Sequence, residues 1–148
     1  MSPIVVFDID GTLAINDHRR HHLMGEKKDW KSYNATMFED GLYIDIADLL
    51  YTLYDTGSTI ILCTGREEMY KDVTIEWLHK CHLGPYVTTI YMRKAKDYRS
   101  DAIVKVELLE EIERDFERPW LWFDDRQQVV DAIRAQGIRV LQVQPGDF

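Results

Sequence analysis

Apolar runs and helically spaced apolar positions alternate along the chain. Short runs rich in β-branched and aromatic residues predict five buried strands, at 4–7, 59–63, 87–92, 120–123 and 138–143. Between these runs, apolar residues recur with helical spacing and predict helices at 43–54, 68–81, 102–116 and 127–136. Strands that alternate with helices indicate βαβ crossovers. We therefore predict an α/β protein with a mostly parallel five-stranded sheet flanked by helices.

One segment interrupts this alternation. Residues 14–42 separate the first strand from the first regular helix, and they are polar, rich in His and Arg, and weakly periodic. An insertion of that length over the strand ends is typical of a small lid or cap. The chain has no repeat, low-complexity tract or linker rich in Pro, Gly and Ser. We expect a single domain over 1–148, with a small cap insertion at about 14–42.

The composition excludes several classes of protein. The chain has 148 residues, of which 45% are apolar and 30% charged, as is typical of a globular domain. Its net charge of −8 argues against a grip on nucleic acid through bulk positive charge and favours the binding of cations or small anions. The two cysteines form neither a disulfide framework nor a zinc motif. Because no apolar run approaches about 18 residues and no signal peptide is evident, we expect a cytoplasmic protein without membrane contact.

Two carboxylates follow the first predicted strand. Asp8 and Asp10 are two positions apart, so their side chains are expected on the same side, at the strand end where α/β sheets bind ligands. One carboxylate there can attack phosphorus, and the second can protonate the leaving group and then activate water. The alternative is an Asp10-Gly11 turn in which the aspartate satisfies backbone groups. A turn requires neither Asp8 nor Thr12, which favours the catalytic interpretation.

Thr64, Gly65 and Arg66 follow the second predicted strand. A hydroxyl and a backbone amide at this place can bind a phosphoryl oxygen, and Arg66 can hold another oxygen through two hydrogen bonds. The alternative is a helix N-cap, because Thr64 followed by Glu67 resembles a capping box. The two interpretations are compatible with each other.

Asp124 and Asp125 follow the fourth predicted strand. Two adjacent carboxylates at the mouth of a buried strand, with Asp8 nearby, predict a site of oxygen ligands that suits Mg²⁺. The alternative is an N-cap aspartate followed by a second acidic residue at the start of a helix.

Lys105 lies within the helix predicted over 102–116. It can pair with the carboxylates and with a phosphate, although the pattern by itself favours a solvated lysine on a helix surface. Asp101 is either the N-cap of this helix or a residue that orients Lys105.

Taken in chain order, Asp8-x-Asp10-Gly-Thr, Thr64, Lys105 and Asp124-Asp125 resemble the four motifs of the haloacid dehalogenase-like (HAD) phosphatases. Further stretches, at 97–105, 124–131 and 142–148, are similar more narrowly to the 3′-phosphatase domain of phage polynucleotide kinase/phosphatases. The similarity covers nearly the whole chain. It implies a Rossmann-like HAD fold, a phage-like origin, and removal of 3′-phosphates in nucleic-acid end repair.

The resemblance also implies a role for each matching residue. Asp8 is expected to form an aspartyl-phosphate, and Asp10 to act as general acid and base. Lys105 is expected to neutralise the nucleophile and to hold the phosphate together with Thr64. The implied Mg²⁺ ligands are Asp8, Asp10 through its backbone carbonyl, and Asp124 or Asp125. The implied phosphate- or substrate-binding residues are Thr64, Gly65, Arg66, Arg19, Asp101 and Arg126.

Two classes of substrate compete. The resemblance implies a 3′-phosphate at a DNA or RNA end, and the alternative is a mononucleotide or another small phosphomonoester. Basic clusters at 18–22 and 93–99 favour the nucleic-acid end, and the net charge of −8 does not exclude it, because an end-processing enzyme holds only the terminal nucleotides. Trp30, Tyr33 and Phe38 either stack on a base or form the core of the cap.

No Gly-x-x-x-x-Gly-Lys-Ser/Thr motif occurs in the chain. We therefore expect a phosphatase without a kinase half, either free-standing or with a separate polynucleotide kinase or ligase as its partner. A remote alternative is a non-catalytic phosphate-binding module, which the presence of Asp8, Asp10 and Lys105 disfavours.

Overall fold

The computed structural model describes residues 2–148. Its strands are β1 (Ile4–Phe7), β2 (Ala14–Ile15), β3 (Gly41–Leu42), β4 (Thr59–Glu67), β5 (Val87–Arg93), β6 (Leu121–Asp124) and β7 (Val140–Gln142). Five of them form a parallel sheet in the order β5-β4-β1-β6-β7. The α/β prediction, with its parallel five-stranded sheet, is therefore confirmed.

Five α-helices and four short 3₁₀ turns connect these strands. The helices are α1 (Trp30–Ala35), α2 (Ile44–Asp55), α3 (Lys71–Lys80), α4 (Asp101–Asp115) and α5 (Gln127–Ala135). The 3₁₀ turns cover Asp17–Leu23, Met37–Glu39, Glu68–Tyr70 and Gly84–Tyr86. Within residues 2–148, no helix has the length and apolar character needed to cross a membrane.

Helices cover both faces of the sheet. Successive side chains along each strand point to opposite faces, and both faces carry apolar residues that pack against helices. Val6 faces α4 and α5, where it belongs to a buried cluster with Leu108 and Ile133. Phe7 faces α2 and α3 and stacks on Phe123, with ring centroids 4.6 Å apart. The sheet is thus buried on both sides, which fixes its carboxyl edge as the place for ligands.

The structure differs from the sequence prediction after β4. The strand continues to Glu67 instead of ending at Cys63, because its last residue pairs with Arg93 of β5 after an irregularity in the register. The segment predicted as helix from 68 begins with a 3₁₀ turn, and α3 starts at Lys71. Thr64 therefore does not cap a helix; its hydroxyl accepts a hydrogen bond from the Arg66 amide at 3.1 Å.

Residues 14–42 have more regular structure than their sequence pattern suggests. The short strands β2 and β3 pair in antiparallel fashion and bring the two ends of the segment together. Between them lie two 3₁₀ turns and α1, whose N-cap Asp29 accepts a hydrogen bond from the Ser32 amide. One side chain of this segment, Arg19, is completely buried and extends to Asp10 beside β1.

Candidate active site

Asp8, Asp124 and Lys105 meet at the carboxyl edge of the sheet. Asp8 directly follows β1 and Asp124 ends β6, and the two strands are neighbours. Lys105 reaches them from α4: its Nζ donates to Asp8 Oδ1 at 2.7 Å and to Asp124 Oδ2 at 2.8 Å. All three side chains are buried. Lys105 is therefore not the solvated lysine that the helical pattern by itself favoured.

Burial and charge perturb the acid–base properties of this group. Burial and the neighbouring Asp124 raise the pKa of Asp8 well above its ordinary value, although Lys105 opposes the rise. Burial lowers the pKa of Lys105, but the two carboxylates outweigh it, and the net pKa is raised. The ammonium group is thus held charged between two carboxylates.

Asp124 has no oxygen left without a partner. Its Oδ1 accepts from the amide of Asp125 at 2.9 Å and from that of Arg126 at 3.3 Å. Its Oδ2 accepts from Lys105 and from the Trp122 indole at 3.2 Å. These bonds place Asp124 as an anchor for Lys105. They also show that Asp124 does not cap α5, which begins after Arg126 without a side-chain cap.

Asp125, in contrast, has a buried oxygen, Oδ2, with no hydrogen-bond partner within residues 2–148. Oxygens of Asp8, Asp124 and Asp125 lie within 4.8 Å of one another. Burial, followed by the charge of Asp124, raises the pKa of Asp125 to about 6. The nearest positive charge to Asp125 Oδ2 is the Arg20 guanidinium, at 4.0 Å. Three converging carboxylates, one of them with a buried oxygen that accepts no hydrogen bond within residues 2–148, are a donor set that fits a hard divalent cation such as Mg²⁺.

Gly11 makes room for this donor set. Its φ is +82°, a conformation that side chains with a Cβ rarely adopt. A Cβ at this position would lie 2.7 Å from Cγ of Asp125 and would overlap the carboxylate. Gly11 thus adopts a turn conformation, as the Asp10-Gly11 pair suggested, and the space that a Cβ would fill there is occupied by the Asp125 carboxylate.

The Asp10 carboxylate is held by two arginines. Arg66 donates to both of its oxygens, at 3.1 and 2.7 Å, and Arg19 donates to Oδ1 at 2.6 Å. Burial alone raises the pKa of Asp10, but Arg66 and Arg19 outweigh it and hold the pKa below its usual range. The side chain therefore binds guanidinium groups and does not satisfy backbone groups of a turn.

Asp40 is a site residue that the sequence analysis missed. It is buried, and Arg19 donates to its two oxygens at 2.7 and 2.6 Å. Arg66 lies 3.4 Å from Oδ2, and His18 Nε2 lies 2.7 Å from Oδ1. Asp40 and Asp10 thus share the same two arginines. An aspartate in a polar segment carries no local signal of burial, so only its spatial partners identify it.

A second network surrounds Asp101. Its carboxylate pairs with Arg93 and with Arg126, whose Nη1 donates at 2.7 Å. Burial raises the pKa of Asp101, but Lys105, Arg126 and Arg93 outweigh it and lower the pKa. Asp101 is not the N-cap of α4, because that role belongs to Ser100. Its influence on Lys105 is electrostatic, since no hydrogen bond joins the two within residues 2–148.

Arg93 is a second site residue that its local sequence does not reveal, because there it is one member of a basic cluster at 93–99. Besides its pair with Asp101, it donates to the carbonyl of Gly65 at 2.8 Å. It donates as well to the carbonyls of Asp97 and Arg99, at 2.8 and 2.7 Å. This one guanidinium therefore connects the last part of β4, at Gly65, to the 94–100 loop.

A cavity of about 410 Å³ opens above these groups. Most of the residues predicted from sequence line it: Asp8, Asp10, Gly65, Arg66, Asp101, Lys105, Asp124, Asp125 and Arg126. Thr64 and Arg19 are not among the lining residues; both are buried, and Arg19 contacts Asp10 from behind. Of the three cap aromatics, Trp30 and Tyr33 line the cavity. Phe38 packs elsewhere, with Lys80 Nζ 4.7 Å from its ring centroid.

Comparison with known proteins shows the family and the fold of the chain. The family model described as the polynucleotide kinase PNKP phosphatase domain matches residues 2–148. A chain in the structure of a Pnkp1/Rnl/Hen1 complex is 34% identical, with a TM-score of 0.82 over 99% of this chain and 48% of that chain. A chain of a Pnkp1/Rnl/Hen1 RNA repair complex is 33% identical, with a TM-score of 0.83 over 99% and 44%.

These two relatives are longer than the present chain, which spans about half of their length. A hydrolase from Streptococcus pneumoniae matches over 97% of this chain and 94% of its own, with 17% identity and a TM-score of 0.67. That more distant similarity concerns the fold alone.

Proposed function

The chain belongs to the PNKP phosphatase-domain family of the HAD phosphatases, and we propose that it removes 3′-phosphates from DNA or RNA ends with Mg²⁺ as its cofactor. The observation that carries the proposal is the buried Lys105 bridge between Asp8 and Asp124, beside an Asp125 oxygen that accepts no hydrogen bond within residues 2–148. This arrangement supplies a nucleophile, a fixed positive charge and a metal site at one end of one cavity.

Asp8 is the proposed nucleophile. Its carboxylate oxygen forms a bond to phosphorus as the bond between phosphorus and the ester oxygen breaks, which leaves an aspartyl-phosphate. Lys105 holds Asp8 in place and offsets the negative charge that gathers around it. Water then cleaves the intermediate and returns the carboxylate. In-line positioning and charge neutralisation are the main demands of such a transfer.

Asp10 is the proposed general acid and base. It donates a proton to the leaving oxygen and later takes one from the attacking water. The three guanidinium bonds hold it ionised, so it must exchange arginine bonds for a proton before it acts as an acid. Arg66 lines the cavity, and a phosphate there competes with Asp10 for this guanidinium. Arg19 acts through Asp10 and not by contact with the substrate.

The side chains fit Mg²⁺, with Asp8, Asp125 and the Asp10 backbone carbonyl as the proposed ligands. Asp125 is preferred over Asp124 because both oxygens of Asp124 already accept hydrogen bonds. When bound, Mg²⁺ offsets the charges of the nucleophile and the phosphate so that the two anions can approach. Residues 14–42 are the proposed cap of this single-domain unit.

The family and the Pnkp1 relatives support a nucleic-acid end as the substrate, and a separate polynucleotide kinase or ligase as a partner. Phosphate release with Mg²⁺ tests the substrate. The comparison is an oligonucleotide with a 3′-phosphate, the same oligonucleotide with a 5′-phosphate, and 3′- and 5′-mononucleotides. We expect the 3′-phosphorylated oligonucleotide to have the highest kcat/KM. A preference for mononucleotides contradicts the proposed substrate but leaves the chemistry in place.

Two variants and a chelator test the mechanism in the same assay. Asp8→Asn and Asp10→Asn are expected to abolish turnover while the far-ultraviolet circular dichroism stays native. EDTA is expected to stop the reaction, and added Mg²⁺ to restore it. Turnover that persists in Asp8→Asn contradicts the nucleophile, and turnover in EDTA contradicts the metal.

A further inference from the structure

The residues that line the cavity fall into two chemical groups. One group consists of the carboxylates, arginines and lysine described above. The other is apolar or aromatic: Leu23, Met24, Trp30, Tyr98 and Phe148 all line the same cavity. Phosphate chemistry requires only the first group. The second group can contact a ligand that carries a flat or apolar part as well as a phosphate.

Trp30 and Tyr98 stand out within this apolar group. Tyr98 is 83% exposed and Trp30 is 49% exposed, although both are large side chains at the mouth of a buried site. Phe148 is exposed to a similar degree, but two guanidinium groups, of Arg20 and Arg126, already lie 5.1 and 5.0 Å from its ring centroid, whereas one cation, Lys28, lies near Trp30. Trp30 and Tyr98 thus have aromatic surface left to contact a ligand.

The loop that carries Tyr98 is held in place. Arg93 donates to the carbonyl of Asp97 at 2.8 Å and to that of Arg99 at 2.7 Å, on either side of Tyr98. Asp97 in turn accepts from the Arg99 side chain at 2.9 Å. The backbone around Tyr98 therefore loses little conformational freedom when a ligand binds, and the loop keeps the exposed residue at the cavity.

Trp30 belongs to residues 14–42 and is distant in sequence from Tyr98. It begins α1, and its ring meets Tyr33 edge-on, with centroids 5.7 Å apart and ring planes at 90°. Lys28 Nζ lies 5.8 Å from its ring centroid and also lines the cavity. Proteins that bind single-stranded nucleic acid combine aromatic side chains, on which the bases stack, with cations that bind the phosphates. Trp30 and Lys28 form such a combination.

We propose that Trp30 and Tyr98 form a nucleobase subsite, in which the base of the terminal nucleotide stacks while its phosphate lies at Asp8. The inference rests on the proposed function and adds what holds the nucleoside. The cavity of about 410 Å³ lies in the usual range for small-molecule sites and admits a phosphate with about one nucleoside. Asn16 also lines the cavity, and its buried amide oxygen has no partner within residues 2–148, so it can accept a hydrogen bond from the ligand.

Stacking is tolerant of base identity, because every base has an aromatic face. The subsite therefore predicts little preference among the four bases at the terminal position but a clear requirement for a base. Two oligonucleotides with a 3′-phosphate test this requirement; they differ only in whether the terminal nucleotide has a base or is abasic. Phosphate release from each is measured with the wild type and with Trp30→Leu and Tyr98→Leu.

For the end with a base, each variant is expected to lower kcat/KM by about 5- to 150-fold, the loss that corresponds to one base–aromatic stack. For the abasic end, both variants are expected to match the wild type. Trp120→Leu and Tyr54→Leu are matched controls. Both parent residues are partly exposed, neither lines the cavity, and Trp120 precedes β6 at the opposite edge of the sheet.

Equal losses on the two ends overturn the subsite, because they indicate damage to the site as a whole. Equal wild-type rates on the two ends overturn it as well. If the wild type releases phosphate from neither end, the proposed function fails, and the subsite is tested by binding. Quenching of tryptophan fluorescence by a nucleoside 3′-monophosphate must then be lost in Trp30→Leu; quenching that persists unchanged, or its absence in the wild type, overturns the subsite.

Discussion

Replacement of Lys105 by methionine tests whether the lysine holds the active site together. The side chain is 2% exposed and donates to Asp8 at 2.7 Å and to Asp124 at 2.8 Å. Methionine fills a similar volume but cannot donate. The substitution therefore removes the positive charge from among buried carboxylates and leaves the packing nearly unchanged.

Two estimates of the loss agree. A hydrogen bond to a charged group contributes about 1.5–3 kcal/mol, so two such bonds amount to about 3–6 kcal/mol. Removal of one partner from a buried ion pair costs about 3–5 kcal/mol, because the remaining charge is buried without compensation. We expect the free energy of unfolding to fall by about 3–5 kcal/mol, a large part of the 5–15 kcal/mol typical of a domain.

Urea denaturation without metal measures this loss. With a slope of about 2 kcal/mol/M, the midpoint is expected to fall by roughly 2 M. Lys71→Met, an exposed lysine at the start of α3, is the matched control and is expected to change stability by less than about 0.5 kcal/mol. Phosphatase activity of Lys105→Met is expected to fall below detection.

The pH dependence separates this explanation from a simple loss of packing. Lys105 lowers the raised pKa values of Asp8 and Asp125, so without it the folded-state pKa values of both rise further above those of the unfolded chain. The folded variant then binds more protons, so its stability falls as the pH rises through these values. We expect the difference between wild type and Lys105→Met to be smaller at pH 5 than at pH 8. A difference below about 1 kcal/mol, or one that is equal at both pH values, contradicts the stabilisation of the buried carboxylates by the Lys105 charge.

Three further predictions concern the groups around this centre. Gly11→Ala places a Cβ at φ +82° and 2.7 Å from Cγ of Asp125, so it is expected to destabilise the protein by about 1–3 kcal/mol. If Mg²⁺ binds the three carboxylates as proposed, it raises the Tm of the wild type but not that of Gly11→Ala; an equal rise in both contradicts the fit. In Arg93→Lys, the ammonium group cannot reproduce the guanidinium bonds to Gly65 and to the 94–100 loop. Because Arg93 holds this loop in position, KM for the oligonucleotide is expected to rise roughly tenfold, with a smaller change in kcat. A change in kcat alone contradicts this positioning role of Arg93. The folded-state pKa of Asp101 is lowered, so the ionised carboxylate stabilises the fold above its unfolded-state pKa, and this contribution is lost as the pH falls. The urea midpoints of wild type and Asp101→Asn are therefore expected to converge between pH 6 and pH 3.

The fold could be predicted from the sequence because its signals are local. Each central strand is a short apolar run, and each long helix has an apolar stripe that packs on the sheet, as Leu108 and Ile133 do. The error at β4 has a non-local cause. The backbone from Thr64 to Glu67 stays extended because it pairs with β5, more than 20 residues away, and local propensity does not contain that pairing.

The candidate site was only partly accessible from local pattern. Asp8 and Asp124 were identified because both directly follow apolar runs, and parallel strands bring such residues to one edge. Lys105 required the family resemblance, since its partner Asp8 is 97 residues away and the helical pattern favoured a solvated lysine. Asp40 and Arg93 have neither signal. Their importance lies in contacts with residues more than 20 positions away, at Arg19 and at Gly65.

The distribution of charge explains why these distant pairings matter. Asp10 and Asp40 face Arg19 and Arg66, so this outer group is balanced before any ligand arrives. The inner group has three carboxylates, those of Asp8, Asp124 and Asp125, and they share the Lys105 ammonium, while the Arg20 guanidinium lies at the edge, 4.0 Å from Asp125 Oδ2. When all are ionised, the group keeps an excess of negative charge. A phosphate dianion that approaches the inner group without compensation meets repulsion from this excess, whereas a divalent cation removes it. The same residue types would give a different order of binding if the arginines faced Asp8, so under the proposed function the pairing in space, and not the composition, predicts that a divalent cation binds before the phosphate.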